Sequence, residues 1–137
     1  TLLAMAGLNR LKLEVEGMSV FDPETFIPAV AQGAVGLQCR SDDGFVKERL
    51  AKCNDEETFA CATAERAMLR VLDGSCRTPI AGYATLKGNA MTLRGMVLKP
   101  DGSHVESHYR QWDDIDPVAA GEEVGHCLLE KIGKDFF

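Results

Sequence analysis

The chain has 137 residues, enough for one ordinary domain or for a small domain with a fragment of another. Hydrophobic residues make up 45% and charged residues 26%, a globular balance that excludes a disordered tail, a collagen-like repeat and a coiled coil. The net charge of -6 argues against a general nucleic-acid or anionic-membrane surface, and no apolar stretch approaches the roughly 20 residues that span a bilayer.

The first elements are short. Residues 1–7 form an apolar run typical of a buried strand, and residues 8–13 predict a short helix. Because the chain begins inside this run, without an initiator Met or a charged leader, we expect it to be part of a longer protein. Residues 14–25 are polar and contain Gly17 and Pro23, which predicts a loop or hinge.

A second apolar stretch, residues 26–30, leads into a segment with two glycines. Val35, Leu37 and Cys39 alternate as on a strand, which predicts one there. Gly33 and Gly36 indicate a tight turn or a close approach of the backbone to another group.

Two helices are predicted next. Asp42 and Asp43 can cap the first of them. Asn54, with Glu57 three residues later, resembles a capping box and opens the strongest predicted helix. That helix runs to about residue 72, where an Asp-Gly pair is a plausible stop.

Three short strands follow, at residues 80–86, 91–98 and 104–110, separated by turn sequences that favour antiparallel hairpins. Asp116 and Pro117 form a good N-cap and first turn for a last helix. The second half is therefore predicted to be an α+β domain, a three-stranded antiparallel sheet with helices on one face.

The cysteines bear on compartment and on chemistry. They are five in number, widely spaced and without a Cys-x-x-Cys pair, which favours free thiols in a reducing compartment over a disulfide scaffold: Cys39, Cys53, Cys61, Cys76 and Cys127. Cys76 lies in a predicted loop, and Arg77 beside it would favour the thiolate. On these local features alone an ordinary turn cysteine is the commoner interpretation.

The other polar residues carry weaker signals. His104 and His108 would lie about 13 Å apart on a strand, too far to share a metal ion, so no metal site is predicted. Arg10 and Arg40 could bind a carboxylate through two parallel hydrogen bonds, although a surface arginine is the default for either.

Several motifs resemble one family in the order expected for it. Residues 28–36, Pro-Ala-Val-Ala-Gln-Gly-Ala-Val-Gly, with the Cys-Arg pair that follows, resemble the crossover segment of the porphobilinogen deaminase (hydroxymethylbilane synthase) family. Residues 63–67, Thr-Ala-Glu-Arg-Ala, and 72–80, Leu-Asp-Gly-Ser-Cys-Arg-Thr-Pro-Ile, resemble its cofactor-cysteine region. Residues 3–11 and 100–103 also fit, so the resemblance covers nearly the whole chain.

The resemblance implies the C-terminal part of a three-domain enzyme of tetrapyrrole (heme and chlorophyll) synthesis. Residues 1–27 would be the end of the second α/β domain of a periplasmic-binding-protein-like pair, with a hinge. Residues 28–53 would be the crossover that returns to the first α/β domain, and residues 54–137 the C-terminal cofactor-attachment domain.

The implied activity is that of a transferase that condenses four porphobilinogen molecules into hydroxymethylbilane and releases ammonia. A dipyrromethane primer would be held by a thioether to Cys76. Arg10 would bind acetate and propionate groups, and Gln32 and Gly33 would line the cofactor side of the cleft. The implied partners are porphobilinogen and the growing pyrrole chain, without nucleic acid or membrane, in a monomeric full enzyme.

Two departures qualify the resemblance. The catalytic aspartate of the family lies in the N-terminal domain, which this sequence lacks, so we expect no catalytic residue here and no activity from these residues alone. The Gly-Ser-Cys-Arg form around Cys76 looks like plant and algal members, which favours a plastid over the cytoplasm as the location.

Two other classes of function remain open. A small thiol-dependent enzyme could use Cys76 directly, but it would need a histidine base, and none lies near Cys76 in the sequence. A non-catalytic α+β interaction module would need an exposed patch, and only Tyr109 and Trp112 stand near a turn.

Overall fold

The computed structural model describes residues 1–74, 78–133 and 136. In chain order the helices and strands are α1 (Met5–Leu11), α2 (Gly44–Ala51), α3 (Glu56–Val71), β1 (Ile80–Lys87), β2 (Ala90–Leu98), β3 (Val105–Trp112) and α4 (Pro117–Ile132). The strands form an antiparallel sheet in the order β1-β2-β3, and α3 and α4 pack against each other and against this sheet. The predicted α+β domain is confirmed.

The hydrophobic core lies between the sheet and the two long helices. Alternate residues of β2 are buried, so that one face of this central strand points towards the helices. The fully buried side chains that fill the space come from α3, β2 and α4: Met68, Met91, Leu93, Val97, Val124 and Leu128. A polar residue on this face of the domain is therefore an exception that requires a partner.

The helix caps follow local chemistry closely. Asp43 accepts a hydrogen bond from the Val46 N–H at 3.0 Å, as predicted. The cap of α3 is Asp55, which accepts from the Thr58 N–H at 2.8 Å, so the predicted cap at Asn54 was wrong by one residue. Asp55 is a better cap than the neutral Asn54 because its carboxylate places a full negative charge beside the free N–H groups of the first turn.

The two strands predicted in the first half were wrong. Residues 5–11 are helical, since Leu, Ala and Met favour a helix and this run contains no β-branched residue. Residues 35–39 form no strand, and Val35 and Leu37 are exposed. A strand is stable only when another strand pairs with it, and within the described residues the sole pairing from this half is an isolated bridge at Ala29.

The first part of the chain joins the α+β domain through residues 28–31. Neither α1 nor α2 packs against another helix or strand of the described structure. Val30, by contrast, packs against the core cluster of the domain. Among the described helices, none combines the length and apolar character needed to cross a membrane.

Candidate functional site

The described residues that flank Cys76, Gly74 and Pro79, are hydrogen-bonded to the domain. Cys76 itself lies outside the described residues. Before it, the Gly74 N–H donates to the Leu69 carbonyl at 3.0 Å and closes the end of α3. After it, the Leu98 N–H donates to the Pro79 carbonyl at 3.0 Å and ties the start of β1 to β2. The described residues on either side of Cys76 are therefore held against α3 and β2.

Residues 28–34, which we call the crossover turn, contain two consecutive tight turns. The Gln32 N–H donates to the Ala29 carbonyl at 3.0 Å, and the Ala34 N–H donates to the Ala31 carbonyl at 3.2 Å. The third residue of each turn has a positive φ, +57° at Ala31 and +85° at Gly33. Glycine adopts this conformation freely, whereas an alanine in it is strained.

The crossover turn is attached to the free edge of β1. Ala29 forms a bridge with Ala81, and the Gly82 N–H donates to the Pro28 carbonyl at 3.0 Å. A Cβ atom at Gly82 would lie 2.7 Å from Cε of Met68 and 3.2 Å from Cγ2 of Val30, so the absence of a side chain leaves room for both the core methionine and the turn. The turn thus meets the strand that directly follows the Cys76 loop.

Glu65 of α3 makes a further attachment. The residue is only 7% exposed, and its two carboxylate oxygens accept hydrogen bonds from the Ala31 N–H at 2.6 Å and the Ala84 N–H at 2.8 Å. Burial raises the pKa of the Glu65 carboxyl above its usual value, and the two hydrogen bonds oppose that shift. One side chain therefore joins α3, β1 and the crossover turn.

No role is predicted for Glu65 from the sequence, although the residue lies in the Thr-Ala-Glu-Arg-Ala motif of residues 63–67. A signal was present, since Glu65 lies beside Ala64 and near Ala67 and Met68 on the apolar stripe of the predicted helix. A charged residue at such a position is rarely buried without a partner.

Gln32 and Gly33 stand at the exposed tip of the crossover turn. A Cβ atom at Gly33 would meet nothing within 4 Å, so the positive φ, and not crowding within this chain, is what requires glycine. Within the described residues the Gly33 N–H makes no hydrogen bond. The tip therefore offers a backbone donor and a side-chain amide to a ligand.

Arg10 lies elsewhere. It is an exposed residue in the last turn of α1, the helix that contacts no other described helix or strand. The structure therefore brings Gln32 and Gly33 to the α+β domain and does not bring Arg10 to them.

The thiols of the described residues are free: Cys39, Cys53, Cys61 and Cys127. Burial, and then the negative charge of Glu65, raise the pKa of Cys61 to about 11, so this thiol is protonated at neutral pH. In the part of the chain that the structure describes, no three His, Cys, Asp or Glu side chains converge on a possible metal position.

Two family models match the chain. Residues 59–133 match the model described as porphobilinogen deaminase, C-terminal domain. Residues 1–48 match the model described as porphobilinogen deaminase, dipyromethane cofactor binding domain. The boundary between them falls near α2 and the start of α3.

Curated relatives agree with the family models. The porphobilinogen deaminase of Nitrobacter winogradskyi is 39% identical over 137 residues, covering 100% of this chain and 43% of the relative. The chloroplastic porphobilinogen deaminase of Pisum sativum is 45% identical over 141 residues, covering 100% of this chain and 38% of the relative. That of Paracoccus denitrificans is 43% identical over 137 residues, covering 100% and 44%. The chain thus spans less than half the length of these relatives.

Proposed function

This chain belongs to the porphobilinogen deaminase family, and from that premise we propose that it is the C-terminal portion of a hydroxymethylbilane synthase. The whole enzyme would condense four porphobilinogen molecules into hydroxymethylbilane and release ammonia. The observation that carries the proposal is the match of two family models in sequence order along one chain. The proposal is also supported by the attachment of the crossover turn to β1, the strand that follows Cys76 in the sequence.

Residues 1–27 are proposed to end the second α/β domain, residues 28–53 to form the crossover, and residues 54–137 to form the C-terminal domain. Support comes from the break between the family models, since one ends at residue 48 and the other begins at residue 59. The cap of α3 at Asp55 lies in that gap. The α+β domain begins with this helix.

Cys76 is proposed to hold a dipyrromethane cofactor through a thioether bond. When bound, this group supplies the primer to which substrate pyrroles are added. On either side of Cys76, Gly74 is hydrogen-bonded to α3 and Pro79 to β2. These two hydrogen bonds would keep the attachment point at a fixed position relative to the core. Rigid support of a reactive side chain favours a productive geometry.

The crossover turn is proposed to receive the acidic side groups of the cofactor. The residues fit, because the Gly33 N–H has no partner in the described structure and the Gln32 side chain is exposed beside it. Backbone N–H groups bind carboxylates well when they are not already paired. Arg10 is proposed as a second carboxylate ligand, reached only when the remainder of the enzyme is in place.

The catalytic aspartate is proposed to lie in the part of the enzyme outside this chain, so that residues 1–137 alone do not turn over substrate. A plastid location is also proposed. It is supported by the 45% identity to the pea chloroplastic enzyme, beside 39% and 43% for the two bacterial relatives.

A cysteine substitution in the full-length enzyme tests the proposal. Cys76→Ser removes the sulfur that would form the thioether, so porphobilinogen consumption should fall by at least about a hundredfold. Cys53→Ser is the matched control, because Cys53 is exposed and has no proposed role, and it should retain nearly full activity. A Cys76→Ser enzyme as active as the control would refute the proposal.

A further inference from the structure

We propose that Glu65 is a positioning residue that holds Ala31 in its left-handed conformation and thereby orients the Gln32–Gly33 tip towards the cofactor. This inference rests on the proposed function of the tip. The hydrogen-bond partners of the Glu65 side chain are two backbone N–H groups, those of Ala31 and Ala84. Glu65 would therefore act on the cofactor only through the crossover turn.

The edge of the sheet explains why a carboxylate is placed here. Gly82 and Ala84, two residues apart on β1, both direct N–H groups away from β2. The Pro28 carbonyl accepts the first of these, as a neighbouring strand would. Because this pairing is antiparallel, the position that faces Ala84 is Phe26, upstream of Pro28. Glu65 accepts the Ala84 N–H in place of a backbone carbonyl there, so the strand-like pairing need begin only at Pro28. The side chain thus replaces a strand partner of β1 immediately before the short paired segment that leads into the turn.

The second oxygen of Glu65 then fixes the turn itself. It accepts the Ala31 N–H at 2.6 Å, a shorter bond than those that close the two turns, at 3.0 and 3.2 Å. Ala31 is the residue with the unfavourable φ of +57°. A hydrogen bond donated to a carboxylate oxygen can offset the strain of one left-handed alanine. Gly33, the equivalent residue of the second turn, needs no such support because it has no Cβ.

Both carboxylate oxygens are required in this arrangement. A glutamine of the same shape has one oxygen and one NH2 group, so it can accept only one of the two N–H groups and directs a donor at the other. Either the Ala31 N–H of the turn or the Ala84 N–H of β1 would then lose its acceptor. A buried N–H group without an acceptor destabilises the segment that contains it. Glu65→Gln therefore probes the hydrogen bonds with little change of volume.

The test uses the full-length enzyme and begins with hydrogen exchange. The Ala31 N–H should be protected in the wild type and should exchange at least about tenfold faster in Glu65→Gln, whether or not a cofactor is bound. In enzyme loaded with dipyrromethane, kcat should fall about tenfold while KM for porphobilinogen changes less than about threefold. The matched control is Glu57→Gln, an exposed glutamate on the same helix, which should leave both readouts unchanged.

A second substitution distinguishes positioning from general structural support. Ala31→Gly removes the strain that Glu65 is proposed to offset, so Glu65→Gln/Ala31→Gly should recover at least about threefold of the lost kcat. Glu65→Gln/Ala34→Gly introduces the same flexibility one turn later and should recover none. If Glu65→Gln does not fold, Ala31→Val in the wild-type background should reproduce the loss of kcat, with Ala34→Val as its control.

The outcomes are distinct. A wild-type enzyme that never carries dipyrromethane contradicts the proposed function, whereas unchanged exchange at Ala31 in Glu65→Gln overturns the inference about Glu65. Equal recovery by the glycine at position 31 and at position 34 also overturns it, since Glu65 would then support the fold without orienting the turn. Recovery by Ala31→Gly alone supports it.

Discussion

Cys61 shows how burial and nearby carboxylates change the chemistry of a thiol. Its thiol lies half-buried on α3, and burial together with the Glu65, Glu57 and Asp55 carboxylates raises its pKa to about 11. Only the thiolate reacts with an alkylating agent, and a pKa of 11 leaves roughly one thiol in a thousand ionised at pH 8.

We expect iodoacetamide at pH 8 to modify Cys61 about a hundredfold more slowly in the native full-length protein than in the same protein unfolded in urea. The rate in the native protein should continue to increase as the pH rises towards 11, the value to which its surroundings raise the pKa. Peptide mass spectrometry at successive times measures both rates. A native rate equal to the unfolded rate would show that the thiol is not held in this environment.

At the scale of single residues, the sequence predicts what local chemistry decides. Asp43 and Asp116 cap their helices as expected, because an aspartate before a first turn needs no information from elsewhere in the chain. The role of Glu65 was not predicted, because its partners Ala31 and Ala84 lie 34 and 19 positions away. Nothing in the residue itself indicates which distant N–H groups it will meet.

At the scale of elements, the contact between α3 and α4 depends on a small residue. A Cβ atom at Gly121 would overlap the backbone oxygen of Ala64 and would lie 2.6 Å from Cβ of Ala67 and 2.8 Å from the Met68 nitrogen. Two of these atoms belong to the backbone, so no change of rotamer can relieve the overlap. The glycine therefore sets how closely the helices pack.

We expect Gly121→Ala to lower the free energy of unfolding of the α+β domain by about 3 kcal/mol, since the helices must separate to admit the methyl group. Urea denaturation of the full-length protein, followed by a probe in this domain, measures the change. The control is Gly44→Ala at the start of α2, where a Cβ atom meets nothing within 4 Å and alanine favours the helix. Equal stability of the two variants would contradict the packing described here.

The predicted elements were correct where periodicity was sustained and wrong where it was short. The long helices α3 and α4 repeat their apolar spacing over 16 residues each, and the three strands are 8 or 9 residues long and are separated by clear turn sequences. The runs at residues 1–7 and 35–39 are too brief to distinguish a strand from a helix or an extended loop. Whether such a run becomes a strand depends on a pairing partner that the run does not encode.

At the scale of the whole molecule, the described contacts divide the chain into an α+β domain with its own core and a first part that packs little against it. Exposed large apolar side chains are concentrated in that first part, among them Leu2, Leu11, Val20, Val35 and Leu37. Since the chain spans 38–44% of the curated relatives named above, these surfaces are proposed to be covered by the remainder of the enzyme. Only the family resemblance singles out Cys76 as the proposed cofactor cysteine, because composition and periodicity leave it an ordinary turn cysteine.

The most direct test of the central claim is the denaturing intact mass of the purified full-length enzyme, followed by peptide mapping. We predict a mass above that of the encoded chain by two linked pyrrole units, with the added mass on the peptide that contains Cys76. The Cys76→Ser protein should have the encoded mass alone. An active enzyme without the added mass, or with it on a peptide that lacks Cys76, would contradict the account.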